Sequence, residues 1–507
     1  MPGKLENALF WRFLRGLAAA PDRPAVQFGG RTVTYREANE LARTWAGALV
    51  TASRPPAVVG VLADKGIESY VGILAALYAG ATVVPLHPDF PASRTRRMLD
   101  MADVTAVIAD GRGRAALAAA VADGPSVSVL DTAGTGEAGT IPVRAAAALD
   151  GPRPVVRDDV AYLLFTSGST GRPKGVRITH AMAAHYFGLL DQRYDFTAAD
   201  VFTQTFDLNF DCAMFDMFCA WGAGASVVVV PPAAYRDMPA FLAEQGVSVW
   251  FSTPSAIALI RRMGGLTPGS MPSLRWAFFA GEALRCGDVA QWSAAAPAAT
   301  IENLYGPTEL TVTITGHRWD PATSPGLAIN GLVPIGRLHA GHDHVLLGED
   351  DRPADAEGEL CIAGPQLTPG YLDPADDRGR FFERDGCRWY RTGDRVRRRS
   401  DGTLVYVGRL DSQVQVQGWR VELAEVDNAL RAADGVEDAV TVARPVDGSV
   451  ELVVFYTGTE CSPATLARYL RDVLPSGMLP RRFEHLSQFP LNSNRKIDRL
   501  ALAARAG

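Results

Sequence analysis

Seven runs of apolar, often β-branched residues punctuate the first two-thirds of the chain. They are AVVGVLAD (57–64), ATVVPL (81–86), TAVIAD (105–110), AYLLFTS (161–167), ASVVVVP (225–231), VSVWFS (247–252) and LRWAFFAG (274–281). The runs are nearly continuous rather than alternating, which is the pattern of strands buried on both faces. Between them lie stretches with helical spacing, such as AFLAEQG (240–246) and GDVAQWSAAAP (287–297). Apolar strands separated by helices predict a largely parallel sheet covered on both sides. Residues 111–157 are rich in Ala, Gly and Thr and weakly patterned, and read as a surface excursion. After about residue 330 the runs shorten and turns multiply, as in GELCIAG and RWYRTGDRVRRRSDGTLVYVGRLD, predicting antiparallel strands. The last segment reads as a strand, the helix LAEVDNALRAA, the hairpin AVTVARPVDGSVELVVFYTG, the helix PATLARYLRDVL and an extended tail.

Two longer uncharged runs, Tyr70–Leu86 and Met217–Tyr235, fall short of the roughly 20 residues a bilayer span needs and contain Gly and Pro. Each reads as helix, turn and buried strand. Arg12 and Arg15 interrupt the apolar start of the chain, so an amphipathic surface helix is expected there rather than a signal peptide. At 507 residues the chain is too long for one core. Fifty basic against fifty-six acidic side chains leave a net charge of −6, which favours neither nucleic acid nor an anionic membrane as partner. Six scattered cysteines without a CxxC pair fit free thiols in a reducing cytoplasm.

Chemistry concentrates in FTSGSTGRPKG (165–175). Its glycines let successive backbone N–H groups point into one concavity, hydroxyls add donors, and Lys174 adds positive charge, a combination suited to polyphosphate. The apolar strand before it and the helical pattern THAMAAHYFGLL after it weigh against a plain flexible loop. It is not the Walker pattern, because Gly175 follows the lysine. ENLYGPTE (302–309) offers Tyr305 as a flat face, Asn303 as an amide and Glu309 as a carboxylate, although YGP alone is only a turn. In YRTGD, Asp394 is a potential acceptor for ribose hydroxyls, and alone is only an acid in a β-turn.

In order along the chain, RTVTYREANELA, LYAGATVVPLHPDFP, FTSGSTGRPKG, LYGPTE, GELCIAG, YRTGD, GRLDSQ and NRKIDRL resemble the adenylate-forming superfamily. The likeness is to the adenylation domains of nonribosomal peptide synthetases and covers nearly the whole chain. It implies an α/β fold with a large core, residues 1–410, built of α/β sheets and a β-rich subdomain. A small mobile α+β domain, residues 411–507, would follow, hinged at Asp411. It also implies ATP and Mg²⁺ as cofactors and a two-step reaction. A carboxylate first displaces pyrophosphate from ATP, and after the small domain rotates a phosphopantetheine thiol takes the acyl group. By the resemblance Lys496, Thr308 and Glu309 are catalytic, with Glu309 on Mg²⁺. Thr166, Ser167, Gly168, Ser169, Thr170, Gly171 and Lys174 would hold phosphates. Gly281, Glu282, Asn303, Tyr305, Gly306, Asp394 and Tyr406 would hold the nucleoside, Arg409 the ribose or a phosphate, and Gly418 would border the thiol's path.

In TFDLNFDCAMFDMF the resemblance puts Asp211 where amino-acid-activating members place an aspartate for the substrate ammonium group. An enclosed carboxylate needs such a cation. Asp211 also reads as a helix cap, and Asp207 competes for the role. The remaining pocket positions are Cys212, Phe215, Ser255, Phe278, Ala280, Leu304, Val312 and Thr313. None is ionic, and two are phenylalanines, so a small or modest neutral amino acid is expected. Gln415 and Gln417 depart from the basic residues common at these positions, Arg495 replaces a usual glycine, and His87 stands where aspartate is common. The chain shows no carrier segment, which leads to the expectation of a separate carrier protein. An acyl- or aryl-CoA synthetase would share the nucleotide motifs without needing Asp211, and a non-catalytic carrier-binding protein would not need the intact motifs. His339, His342 and His344 crowd LHAGHDHVLL but lack ordered acidic partners and read as the start of a strand. His180 reads either as a helix-start residue or as a neighbour of the reacting carboxyl.

Overall fold

The computed structural model describes residues 8–53, 55–122, 127–135, 137, 139–168, 172–410, 413–446, 449–490 and 497–507. All seven apolar runs form strands, in two separate sheets. In the first, Val58–Leu62 lies parallel to both Thr82–Leu86 and Ala106–Ala109, with Val59 opposite Val83 and Ala106. Val160–Thr166 continues the parallel set next to Thr82–Leu86, and Lys174–Thr179 closes the edge antiparallel to it. The second sheet runs Val201–Gln204, Val249–Ser252, Trp276–Phe279 and Thr300–Tyr305 in parallel, then turns antiparallel at Thr315–Arg318.

Two helices explain how the sheets meet. Ile67–Tyr78 and Cys212–Ala223 are apolar almost all round and almost wholly buried. A helix without a polar face must be covered on every side. These two are enclosed in one continuous core that draws on both sheets, including Val59, Val83, Tyr162, Phe202, Phe251 and Phe278. The N-terminal helix Trp11–Ala19 packs on the second of them, and Arg12, partly sunk beneath the surface, pairs with Asp191 at 2.8 Å. Among the described residues no helix is long and apolar enough to cross a membrane.

The described residues within 111–157 hold more regular structure than their composition suggests. Gly111–Val121 is a helix capped by Asp110, whose carboxylate accepts from the Gly113 N–H at 2.7 Å. Ser128–Asp131 and Thr140–Pro142 extend the first sheet in parallel. Short strands at a sheet edge need few apolar residues, so the pattern there was too weak to register.

Beyond residue 340, Asp343–Leu347, Glu357–Ala363, Cys387–Arg398, Phe381–Arg384 and Leu404–Arg409 form an antiparallel sheet. A smaller C-terminal part follows. The hairpin Gln413–Val416/Trp419–Glu422 leads into the helix Leu423–Arg431 and a three-stranded sheet. In that sheet Arg482–His485 lies parallel to Ser449–Gly458. The tail is not wholly extended: Asp498 caps a final helix, Arg499–Ala506, that buries Leu502 and Ala506 against the sheet.

Candidate active site

The strand ends of the large part and the Gln413–Glu422 hairpin of the small part enclose a cavity of about 650 Å³. Such a cleft, at the carboxyl ends of parallel strands, is where open α/β sheets take ligands.

The glycine-rich loop opens from the C-terminal end of Val160–Thr166, and Thr166 and Lys174 form its last paired register. The pattern THAMAAHYFGLL forms the helix His180–Arg193, and the strand Lys174–Thr179 lies between that helix and the loop. The alternation in KGVRIT, with β-branched Val, Ile and Thr, accounts for the strand. Ser169, Thr170 and Gly171 lie outside the described residues, as do the expected hinge residue Asp411 and Lys496. The Lys174 ammonium stands 3.8 Å from Asp376 and 5.1 Å above the Tyr371 ring, and burial lowers its pKa. Gly168 has no room for a side chain, because a Cβ there would lie 2.2 Å from the Arg172 carbonyl.

Residues far apart in sequence meet on the opposite wall. The Tyr305 hydroxyl donates to one Asp394 oxygen at 2.6 Å, and the Arg409 guanidinium donates to the other at 2.9 Å. Burial raises the pKa of Asp394, while Arg409 and Tyr305 pull it down. Gly306 and Tyr406 border the same space. Asn303 also lines the cleft, but its amide nitrogen is committed to the Val333 and Pro334 carbonyls at 3.2 and 2.9 Å. This bonding fixes a segment that borders the cavity and engages the amide the sequence reading offered to a base edge. Glu282 likewise turns inward, accepting from the Ser255 and Gly418 N–H groups, both at 2.8 Å. Gly281 adopts φ +84°, which brings backbone rather than side chain to the cleft.

Asp211 faces the cavity at the start of Cys212–Ala223 without making a side-chain capping bond. Desolvation pushes its pKa up to about 6, against the Thr308 hydroxyl and the Cys212 amide and thiol, which stabilise the anion. Asp207, its competitor, already has a cation, Lys65 at 3.3 Å, and the His87 ring stands 3.7 Å away. It lines a second cavity instead. Around Asp211, Cys212, Ala280, Leu304 and Val312 border the cleft. Phe215 and Phe278 stand behind them, stacked edge to face with Phe251 at 4.8 and 6.2 Å and with each other at 5.2 Å. The Thr313 hydroxyl is bonded to the Tyr186 hydroxyl at 2.9 Å, and Ser255 sits behind Glu282.

Glu309 is fully buried and lies close enough to Asp211 to raise its pKa. It has its own partners: the Tyr371 hydroxyl donates to it at 2.6 Å and the Arg420 guanidinium at 2.9 and 3.2 Å. Despite burial these hold its pKa at about 2. An ionised carboxylate beside the Thr308 hydroxyl fits Mg²⁺ by donor type, since hard oxygen donors suit that ion. With Arg420 on both carboxylate oxygens, the ion and the guanidinium are alternatives at this position.

Arg420, Glu425, Arg94, Trp419 and Phe210 also shape the cleft or its rim, and sequence reasoning missed them. Trp419 packs against Phe210 at 5.0 Å and Phe90 at 6.1 Å. The only available signal was a run of charge in WRVELAE that a surface helix start would also produce. The Gln417–Gly418 turn has φ of +50° and +85°, the two-residue form that matches strand twist. The Gln415 amide, oriented so that its nitrogen donates, reaches the Gly281 and Trp419 carbonyls at 3.2 Å. His180 is structural: its Nδ1 accepts from the Leu9 N–H at 3.0 Å, and burial lowers its pKa to about 4. His339 stacks on Tyr186, and among the described residues no group of three His, Cys, Asp or Glu is arranged for a metal ion.

A two-part chain, with a glycine-rich segment at a strand end, a Tyr–Asp–Arg cluster and a cleft between the parts, fits an ATP-dependent adenylate-forming enzyme of the nonribosomal-peptide-synthetase adenylation type. The chain belongs to the AMP-binding enzyme family, whose model matches residues 13–372. It is 57% identical to the protein in the crystal structure of IdnL7, covering 99% of both chains at a TM-score of 0.77. It is 27% identical to the Vibrio cholerae adenylation domain AlmE, solved with glycyl-adenosine-5'-phosphate, over 98% of this chain and 97% of that one (TM-score 0.87). It is also 27% identical to holo-PA1221, which contains adenylation and PCP domains bound to a vinylsulfonamide inhibitor, over 98% and 84% of the chains (TM-score 0.79). The chain spans less than half the length of the curated synthetases it matches.

Proposed function

We propose that this protein activates a small or modest neutral amino acid as its aminoacyl-AMP and passes it to the phosphopantetheine thiol of a separate carrier protein. The observation that carries this reading is Asp211. It is a desolvated carboxylate facing the cleft with a pKa of about 6, and the pocket positions beside it, Cys212, Ala280, Leu304 and Val312, carry no charged side chain. A substrate α-ammonium supplies the missing cation and draws the pKa back down. The Phe215–Phe278–Phe251 group behind the wall limits depth, which favours a small side chain. The glycyl adenylate in AlmE and the carrier domain in PA1221 are consistent with this assignment.

In the first step a substrate carboxylate oxygen bonds to the α-phosphorus of ATP and pyrophosphate leaves. The loop at 166–174 holds the phosphates, Asp394 and Arg409 hold the ribose, and Lys496 brings positive charge to the reacting oxygens. Bound Mg²⁺ at Thr308 and Glu309 would add charge stabilisation for the departing pyrophosphate. In the second step the small domain, turning at Asp411, brings Gly418 into the cleft. The thiol sulfur then bonds to the acyl carbon and AMP leaves. Residues 1–410 form the binding core in this reading, and 411–507 the moving part.

ATP–pyrophosphate exchange with a panel of amino acids, aryl acids and fatty acids tests the assignment. Exchange with small neutral amino acids, lost in Asp211→Asn, is the expected result. Exchange driven only by aryl or fatty acids would assign the chain to acid–CoA ligation, and exchange with none would favour a binding protein.

A further inference from the structure

The segment that brings Val312 to the cleft holds two consecutive non-glycine residues in left-handed backbone, Thr311 at φ +58° and Val312 at φ +67°. For a β-branched residue this conformation is an outlier, and it persists only where the surroundings impose it. Here one side chain grips the segment. Gln366, wholly buried in the loop after the strand Glu357–Ala363, donates its amide nitrogen to three carbonyls. They belong to Leu310, Thr311 and Thr313, at 2.9, 3.2 and 2.9 Å. The Thr311 hydroxyl donates in return to the Gln366 carbonyl at 2.8 Å. Gln366 is itself anchored, its N–H donating to His342 Nε2 at 3.3 Å.

We propose that Gln366 is a positioning residue for substrate choice: it holds the Leu310–Thr313 segment in its strained form and thereby fixes where Val312 stands on the amino-acid pocket. The inference rests on the amino-acid-activating reading above and deepens it to a residue that sets the pocket's size. Buried carbonyls need donors, and backbone usually meets that need without strain. Here the donors come from a side chain 53 to 56 residues further along the chain. Without them Thr311 and Val312 relax towards negative φ, and the Val312 side chain leaves its place. Gln366 does not border the cleft, so it acts through Val312 rather than by touching substrate. The nucleotide side is held independently. Glu309, just before the segment, has Tyr371 and Arg420 on its carboxylate, and its carbonyl accepts from the Thr368 N–H at 2.9 Å. Loosening the segment should therefore be felt by the amino acid and not by ATP.

Two variants test this: Gln366→Met, which keeps the length and removes the donors, and Thr311→Val, which keeps the shape and removes the hydroxyl bond to the same loop. ATP–pyrophosphate exchange is measured with neutral amino acids graded from glycine to leucine, varying amino acid and ATP in turn. In Gln366→Met the KM for the preferred small amino acid should rise about tenfold while that for ATP stays within about twofold. The preference for small over large side chains should shrink by about tenfold as the wall loosens. Thr311→Val should move the same quantities in the same direction by about threefold, the scale of one neutral hydrogen bond. Crystal structures of both variants should show Val312 outside the left-handed region in Gln366→Met and displaced in Thr311→Val. Equal rises in both KM values with an unchanged preference would overturn the proposal, since they mark a brace for the fold as a whole. So would unchanged kinetics, or Val312 kept at its wild-type φ without Gln366. If Gln366→Met does not fold, Thr311→Val decides by the same readouts. Failure of the amino-acid reading is distinct, because it appears in the wild-type enzyme as exchange with no amino acid. The variant crystal structures report on the brace whichever acid is activated.

Discussion

Asp211 and Glu309 meet at one cleft in opposite electrostatic circumstances. Glu309 is the more deeply buried, yet its pKa is held near 2, because Arg420 and Tyr371 bond to it. Asp211 is open to the cavity, yet rises to about 6, because neutral donors alone stabilise it. Burial sets the cost of a charge in both, and the presence or absence of a cation within the protein decides the sign. One carboxylate is complete without a ligand, and the other, in the proposed reading, is completed by one.

Removing the incomplete carboxylate gives the sharpest test of that contrast. Asp211→Asn should lower amino-acid-dependent exchange by 100-fold or more, an estimate based on the several kcal/mol of a broken enclosed ion pair. The same variant should be more stable than wild type at pH 8. The native pKa lies above the unfolded value, so the native state binds the extra proton and stability falls as pH rises from about 4 to 6. The gain, read by urea denaturation, should be no more than about 2 kcal/mol, since water in the cleft screens the group. A variant less stable at pH 8 would break the comparison.

The complete carboxylate should respond in the reverse direction. Arg420→Met leaves Glu309 buried and uncompensated, which should cost about 3 kcal/mol in the docked arrangement, measured by denaturation at pH 7. The sign here is opposite, because the folded pKa is depressed. The contribution is full above about pH 4.5 and fades as pH falls towards 2. A smaller effect should appear in the wild-type pH profile. Below pH 6 the amino acid KM should rise up to tenfold per unit as Asp211 takes up a proton, with little matching change for ATP. Smallest of all, Gly418→Ala should cost about 1 kcal/mol. The residue sits at φ +85°, and a Cβ would lie 2.9 Å from the Thr253 methyl.

The sheets were legible in the sequence because buried parallel strands are written as continuous apolar runs, and every one of the seven was found. The tail helix and the strands within 111–157 escaped because each contributes few apolar side chains to a large shared core. At the site, Asp211, Tyr305, Asp394 and Arg409 could be named from motif order. The order of motifs also favoured Asp211 over Asp207, but the ion pair that engages Asp207 could not be read, because it depends on Lys65, about 140 residues upstream in the chain. Arg420 and Glu425 were invisible for the same reason. A charge at a helix start looks alike whether it faces water or a glycine loop 257 positions away.

The aromatic backing of the proposed amino-acid pocket belongs to the core that welds the two sheets together. Reshaping substrate range by trimming Phe215 or Phe278 would open a void in the very material that supports the fold, at about 3–5 kcal/mol for each ring removed. Any change of diet for this enzyme is therefore easier at the cavity's rim, at Cys212 or Ala280, than at its foundation. Evolutionary drift in specificity should leave its marks on the front layer while the rear one stays put.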